Sequence, residues 1–328
     1  MILFKCRADY KVGWGHLMRC ASIAQEINKT NETYLYCFNG KNILKKTGID
    51  PFTKYFNDKV QNNSKNTSYF LDFLKKKKIK KVIIDDPQIN SSIRNKIQKI
   101  GCKIIQLNYD FKNFKNIDIL INHLVKNEAV SKQTRVYKGP KYLIIRKNLT
   151  SEINKLNCAS KDNLLLTFGA SINSKIIQII NNLLKSNKLD IYKTTLILPN
   201  KKFEKYIKVY PQNKIKIYIN PSTKVIKNLY KISKVGICAG GLQLSELIIN
   251  KVIPIALSKN KKERKNISFF QNLNLCHQFS LDNISLIDLR DKITKKIENI
   301  YKNKIQQKNY SLDNLGAFRV SKIILSNN

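Results

Sequence analysis

Near the start of the chain, Gly13-Trp14-Gly15-His16 stands between Arg7 and Arg19. Imidazole is the side chain whose ordinary titration lies closest to neutrality, so it is well suited to move a proton there. The chain holds only three histidines, and the one directly after Gly-x-Gly is the candidate base. Eight arginines stand against 53 lysines, and two of the eight flank this loop. Where lysine is so abundant, an arginine kept at a site points to a need for a planar, two-pronged donor. The competing reading is a plain strand-turn-helix whose glycines make a tight turn.

The elements around the loop decide how it is presented. The apolar run 2–6 predicts a first strand, and Leu17, Cys20, Ala21, Ala24 and Ile27 recur at helical spacing. A glycine turn therefore delivers His16 to a helix N-terminus. Partial positive charge there disfavours a second proton on the ring, and Arg7 and Arg19 push the same way. That suits a neutral general base. The loop is not a dinucleotide fingerprint: a third glycine would fall at Met18, and no acid stands at 36–39, about 20 residues on. NAD is not expected.

A second loop, Ala239-Gly240-Gly241-Leu242, enters another helical pattern. Backbone N–H groups at a helix N-terminus form an anion seat suited to a diphosphate. Glu246, one turn in, is placed to accept from ribose hydroxyls. The plain alternative is glycine for close packing and a first-turn glutamate favoured by the helix dipole.

Strands are predicted at 34–38, 81–87, 103–107 and 117–121, with a helix at 90–100 and two weak helices within 41–80. After Gly139-Pro140-Lys141-Tyr142 and the polar stretch 147–162 the pattern restarts. Strands follow at 163–168, 194–198, 214–219, 235–238 and 252–257, the last leading into a basic loop. Helices are predicted at 173–185, 222–231, 242–250, 285–305 and about 314–326. At 328 residues the chain fits two α/β domains of roughly 150 residues, assigned to 1–148 and 160–328. The alternation argues parallel sheets with right-handed crossovers. Asp85 and Asp86 end a strand at the carboxyl edge, where open sheets hold ligands. Two glycine loops at strand ends favour a ligand held between the domains. His123 and His277 read as surface residues of polar loops.

The net charge of +39 invites a nucleic-acid reading. The lysines, however, are spread along the whole chain beside Asn and Ile, and no RNA-binding or zinc-finger signature occurs. No specific nucleic-acid partner is expected, although such a field attracts anionic ligands. Seven scattered cysteines without C-x-x-C read as buried thiols of a reducing compartment, with no metal clustering. No signal-peptide pattern opens the chain, and no apolar run reaches the roughly 18 residues of a membrane span. A cytoplasmic protein is the expectation.

With both loops in view, the chain resembles the UDP-sugar hydrolases of pseudaminic acid biosynthesis, relatives of the MurG-like GT-B glycosyltransferases. The resemblance rests on Arg7, Asp9, Gly13, Gly15, His16 and Arg19, on Gly139-Pro140-Lys141-Tyr142 with Arg146, and on the strand and turn 164–171. Ala239-Gly240-Gly241 with Glu246, and Gly316-Ala317 with Arg319-Val320, complete it. It covers nearly the whole chain. Three positions depart from the family. Asp85-Asp86-Pro87 stands for Asp-x-Tyr, Gly169-Ala170-Ser171-Ile172 stands for Gly-Gly-x-Asp, and Asn260-Lys261, opening a basic insertion 261–265, stands for Asn-Gln.

The resemblance implies a GT-B fold, two Rossmann-like doubly wound domains facing across a cleft, and the substrate UDP-2,4-diacetamido-2,4,6-trideoxy-β-L-altropyranose. His16 would activate water for attack at the anomeric carbon, releasing UDP with inversion. Arg7, Asp9, Gly13, Gly15, Arg19 and Asn260 would serve the sugar, Asp9 by orienting the loop or a sugar hydroxyl. Gly169, Gly240, Gly241, Leu242 and Glu246 would hold UDP. UDP leaves as a stable anion, so backbone donors suffice and neither metal nor cofactor is expected. Two other readings stand beside this one. One is a GT-B glycosyltransferase using the same base on an acceptor hydroxyl; the other is an RNA- or anionic-surface-binding protein driven by charge.

Overall fold

A computed structural model of the chain describes residues 1–9, 13–57, 64–107, 115–124, 131–150, 161–170, 172–210, 214–258, 260–303, 305 and 312–326. It divides into two compact units, Met1–Lys147 with Leu312–Asn328, and Asn148–Ser311.

The first unit runs β1 (Ile2–Cys6), α1 (Gly15–Ile27), β2 (Thr33–Tyr36), α2 (Gly40–Thr47), β3 (Lys54–Phe56), α3 (Ser64–Lys76), β4 (Lys81–Asp85), α4 (Ser91–Lys99), β5 (Lys103–Leu107), β6 (Ile119–Asn122) and β7 (Arg135–Lys138). Its strands form one parallel sheet in the order β3-β2-β1-β4-β5-β6-β7. The second unit runs β8 (Asn163–Thr167), α5 (Ser174–Leu184), β9 (Lys193–Leu198), β10 (Ile215–Ile219), α6 (Thr223–Ile232), β11 (Ser233–Ala239), α7 (Leu242–Ile249), β12 (Ile253–Ser258), α8 (Lys261–Asn272), β13 (His277–Ser280) and α9 (Leu286–Lys302). Its parallel sheet has the order β10-β9-β8-β11-β12-β13. Among the described residues, no helix is long and apolar enough to cross a membrane.

Helices on both faces of a parallel sheet bury its central strands twice over, so those strands read as unbroken apolar runs. Every residue of β1, β4 and β8 is buried. In the second unit Leu164, Leu196, Ile237 and Ile255 meet Ile176 and Ile180 of α5 and Ile293 and Ile297 of α9 in one core. Asn173 caps α5 by accepting from the Ile176 N–H at 3.0 Å. Ser285 does the same for α9 from Asp288 at 3.0 Å.

Four expectations change. Short strands β3, β7 and β13 lie where none was predicted. Residues 261–265 open helix α8 rather than a basic loop, because Asn260 caps it by accepting from the Glu263 N–H at 2.9 Å. His123 is buried, and His277 begins β13 instead of lying in a loop. The last helix, α10 (Gly316–Ser326), belongs to the first unit, although the linear division put it in 160–328. Gly316 sits so close to Leu143 that a Cβ there would lie 2.0 Å from the Leu143 carbonyl oxygen. Lys81 donates to the Ile324 carbonyl at 2.6 Å, and Arg319 to the Lys141 carbonyl at 3.1 Å.

Candidate active site

In each sheet the strand order reverses once: between β1 and β4 in the first, between β8 and β11 in the second. Loops leaving two such neighbouring strands diverge to opposite faces, and the crevice outside their carboxyl ends is where open α/β sheets bind ligands. Both predicted glycine loops leave strands at these points.

In the first unit, Cys6 and Asp85 are register partners at the ends of β1 and β4. The loop after β1 holds Arg7 and Asp9 together, with the Arg7 Nε donating to the Asp9 Oδ2 at 2.6 Å. Gly13, at φ +83°, donates its N–H to the Asp9 carbonyl at 2.7 Å. That left-handed turn is cheap only for glycine, and it aims the chain into α1. Trp14 is the cap residue and Gly15 the first helical one, so His16 lies in the first turn, as predicted. Residues 10–12 of the motif fall outside the described set.

His16 and Arg19, one turn apart, both reach Asp85. The His16 Nδ1 is 2.7 Å from the Asp85 Oδ1. Arg19 grips the same carboxylate with a fork, Nε to Oδ2 and Nη2 to Oδ1, both at 2.9 Å. All three residues are buried. Burial alone would push the Asp85 carboxyl up; the Arg19 guanidinium, followed by His16, overrides this and holds it at about 2. Asp85 is therefore an acceptor only. The His16 Nδ1 also lies 2.8 Å from the Arg19 Nη2, but a guanidinium has no lone pair to offer. Asp85 is matched by the tautomer that carries the proton on Nδ1, since a ring lone pair turned on the carboxylate would be repelled. The neutral ring then has its basic lone pair on Nε2. Hydrolytic triads set a histidine against a buried aspartate in the same arrangement.

The sequence reading named Asp85 as a strand-end acid without assigning it to the site, and named Arg19 for the sugar. In the structure the Arg19 Nε and Nη2 engage Asp85. Beside them, on the other face of the strand ends, the Lys5 Nζ lies 2.8 Å from the Asp86 Oδ2, and this pair too is buried.

In the second unit, Gly169 follows β8 at φ +73°. Gln243, from α7, donates through Nε2 to the Thr167 Oγ1 at 2.6 Å. That bond ties the turn after β8 to the turn after β11. Gly240 and Gly241 differ sharply in surroundings. A Cβ on Gly240 would lie 2.7 Å from the Ile267 Cγ1 and 2.8 Å from the Glu263 carbonyl oxygen, whereas one on Gly241 would meet nothing within 4 Å. Asn266 donates to the Gly240 carbonyl at 2.7 Å, which leaves that peptide rigidly held against α8. Gly241 caps α7 and Leu242 opens it. Glu246 has no exposed surface, and its Oε2 accepts from the Tyr230 hydroxyl at 3.1 Å. Asn260 is exposed at the head of α8. Gln243 and Asn266 were not anticipated; the signal available for them was only their spacing from the glycines on the following helices.

No family model matches the chain, and no curated protein matches it. Solved structures do. MurG of Acinetobacter baumannii is 11% identical with a TM-score of 0.62, each chain covered to 99%. UDP-GlcNAc 2-epimerase of Methanocaldococcus jannaschii, solved with UDP-GlcNAc and UDP, is 14% identical with a TM-score of 0.65, each chain covered completely. MnaA of S. aureus, solved with UDP, is 13% identical with a TM-score of 0.63, covering 99% of this chain and 97% of its own. The fold is GT-B. Identities this low speak for the fold alone. The turn that carries His16 leaves β1 and the turn that carries Gly241 leaves β11; each of these strands borders the strand-order reversal of its own sheet.

Proposed function

We propose that this GT-B protein is an inverting UDP-sugar hydrolase. The reading is carried by one observation, the 2.7 Å contact between the His16 Nδ1 and the Asp85 Oδ1, which suits a ring protonated on Nδ1 with its base on Nε2. His16 Nε2 takes a proton from water as the water oxygen attacks the anomeric carbon. The bond from that carbon to the diphosphate oxygen breaks, and UDP departs with the electron pair. The sugar is released with inverted configuration.

Each remaining residue has a place in this scheme. The amides of Gly240, Gly241 and Leu242, with the turn at Gly169, take the diphosphate, as helix N-termini and small-residue turns favour anions. Arg7, Asp9, Gly13 and Gly15 shape the loop that meets the sugar. Arg19 acts through Asp85. Asn260 spends its oxygen on capping α8 and keeps its amide NH₂ for a sugar carbonyl or hydroxyl. Glu246 serves the ribose if the ribose hydroxyl takes the place of the Tyr230 hydroxyl. The resemblance to the pseudaminic acid enzymes supports a diacetamido-trideoxy sugar as substrate, in nonulosonic acid biosynthesis. Solved neighbours that hold UDP support the nucleotide. Among the described residues six cysteines are free and buried, which supports the reducing, cytoplasmic compartment.

A second reading is favoured by neighbours that are themselves glycosyltransferases, such as spinosyn forosaminyltransferase and MurG. On that reading the same base deprotonates an acceptor hydroxyl. One assay separates the two: incubation with a panel of UDP-amino sugars without acceptor. UDP and free sugar in equal amounts support the hydrolase; UDP release only when an acceptor alcohol is added supports the transferase. Full turnover by His16→Ala would overturn both.

A further inference from the structure

A polar pocket open to solvent lies in the second unit, away from its glycine turns. It has a volume of about 330 Å³ and is walled by the end of α8, the start of β13 and one face of α9. Its polar lining is Gln271, Asn274, His277, Gln278 and Lys296. His277 pairs with Ile255 toward the amino end of the sheet, whereas the glycine turn follows Ala239, which pairs with Leu257.

The hydrogen-bond inventory of this wall is one-sided. The Gln278 backbone N–H donates to the Gln271 Oε1 at 2.8 Å, and the Ser268 hydroxyl donates to the Gln278 Oε1 at 2.9 Å. Both amide oxygens are thus consumed, which fixes the orientation of the two amides and turns both NH₂ groups into the remaining capacity. Lys296 adds three N–H donors and a positive charge. Among the described residues no carboxylate lines the pocket. Burial, and after it the Lys296 ammonium, pushes His277 down to about 4, so the ring is neutral at pH 7. A negative guest would reverse that balance, because an anion beside a histidine favours its charged form.

We propose that this cavity is a binding site for a small oxyanion, a phosphate or a carboxylate, held by Lys296, His277 and the amide NH₂ groups of Gln271 and Gln278. An acceptor-only guest answers a donor-rich wall. The net charge of +39 raises the local concentration of such guests. The site is independent of the reaction assigned above and stands whether or not that assignment does.

The test follows the ring resonances of His277 by NMR in the full chain, assigned through His277→Asn. Inorganic phosphate, acetate and the neutral control glycerol are added in separate titrations. Phosphate or acetate is expected to raise the His277 titration midpoint by at least one pH unit, a tenfold preference for the protonated ring, while glycerol leaves it in place. A response to phosphate alone assigns the site to phosphates; a response to both assigns it to oxyanions at large. Lys296→Gln should weaken the response about tenfold, and Gln271→Leu should weaken it too. Lys302→Gln, exposed at the end of α9, should leave it unchanged. A midpoint indifferent to both anions, or one that shifts equally in wild type and Lys296→Gln, overturns the proposal.

Discussion

The His16 Nδ1 and the Asp85 Oδ1 lie 2.7 Å apart, joining the first turn of α1 to the last residue of β4. The partners come from positions 69 residues apart, yet parallel pairing of β1 with β4 makes them neighbours. On the proposed function Asp85 selects the His16 tautomer, and its removal is expected to act on turnover more than on substrate binding. With His16 as the proposed base, His16→Ala should lower kcat by about 10²–10⁴, the usual worth of a positioned general base. Asp85→Asn should lower kcat by about 10² or more with little change in KM, since an amide permits the wrong tautomer. Steady-state kinetics of UDP release measures both.

Acid sensitivity follows from the same carboxylate. Asp85 stands at about 2 against an ordinary 3.8. A depressed folded value means that its stabilisation is complete above about pH 4 and is lost as pH falls through about 2. The contribution is on the order of 2 kcal/mol. Thermal melts between pH 5 and pH 2 should show this loss in wild type, and a smaller slope in Asp85→Asn.

His277 predicts a second, separate window. Its folded value of about 4 lies below the ordinary 6.5 because burial, and then Lys296, penalises the charged ring. The neutral ring's advantage is full above pH 6.5 and drains away as pH falls toward 4. In His277→Asn, the melting temperature should vary less with pH across this range. Scanning calorimetry at half-unit steps would show whether the slope flattens.

The two glycines of the second loop should part company under the same substitution. Gly240→Ala forces a methyl against Ile267 and the Glu263 carbonyl, an overpacking worth about 1–3 kcal/mol. Gly241→Ala meets open space at φ −88° and should keep the melting temperature. If its amide holds the diphosphate, affinity for UDP should fall instead, as read by calorimetric titration.

Gly316→Ala is expected to be the more severe lesion. Its Cβ would fall 2.0 Å from the Leu143 carbonyl oxygen, with backbone on both sides and no flexible side chain to yield. A loss of about 3 kcal/mol or more, at the upper end of overpacking costs, should appear in denaturant midpoints.

Central strands were legible in the sequence because burial on both faces leaves them apolar throughout; the prediction 103–107 coincides with β5. The strands that escaped notice, Lys54–Phe56, Arg135–Lys138 and His277–Ser280, all sit at sheet edges. Edge strands are kept short and charged to discourage pairing with other chains, which erases the apolar signature. Helix α8 was missed under its lysines, although Asn260 followed by Glu263 at three residues is a recognised start signal. At the candidate site, local spacing disclosed His16 and the glycine turns. It left Asp85 unassigned, because that contact depends on which strand lies beside β1, a matter of topology that no local window carries. Arg19 was seen as chemically significant for its type, but its partner was again across the sheet.

The docking of α10 onto Leu143 and Lys81 has a bearing on how the chain is made. The residues of the second unit, 148–311, leave the ribosome as one uninterrupted stretch, and domains fold as units during synthesis. The earlier-made unit lacks its closing helix until residue 326 has emerged. The first half to be translated is therefore the later to mature, and His16 gains its finished surroundings only after the other sheet is already in place.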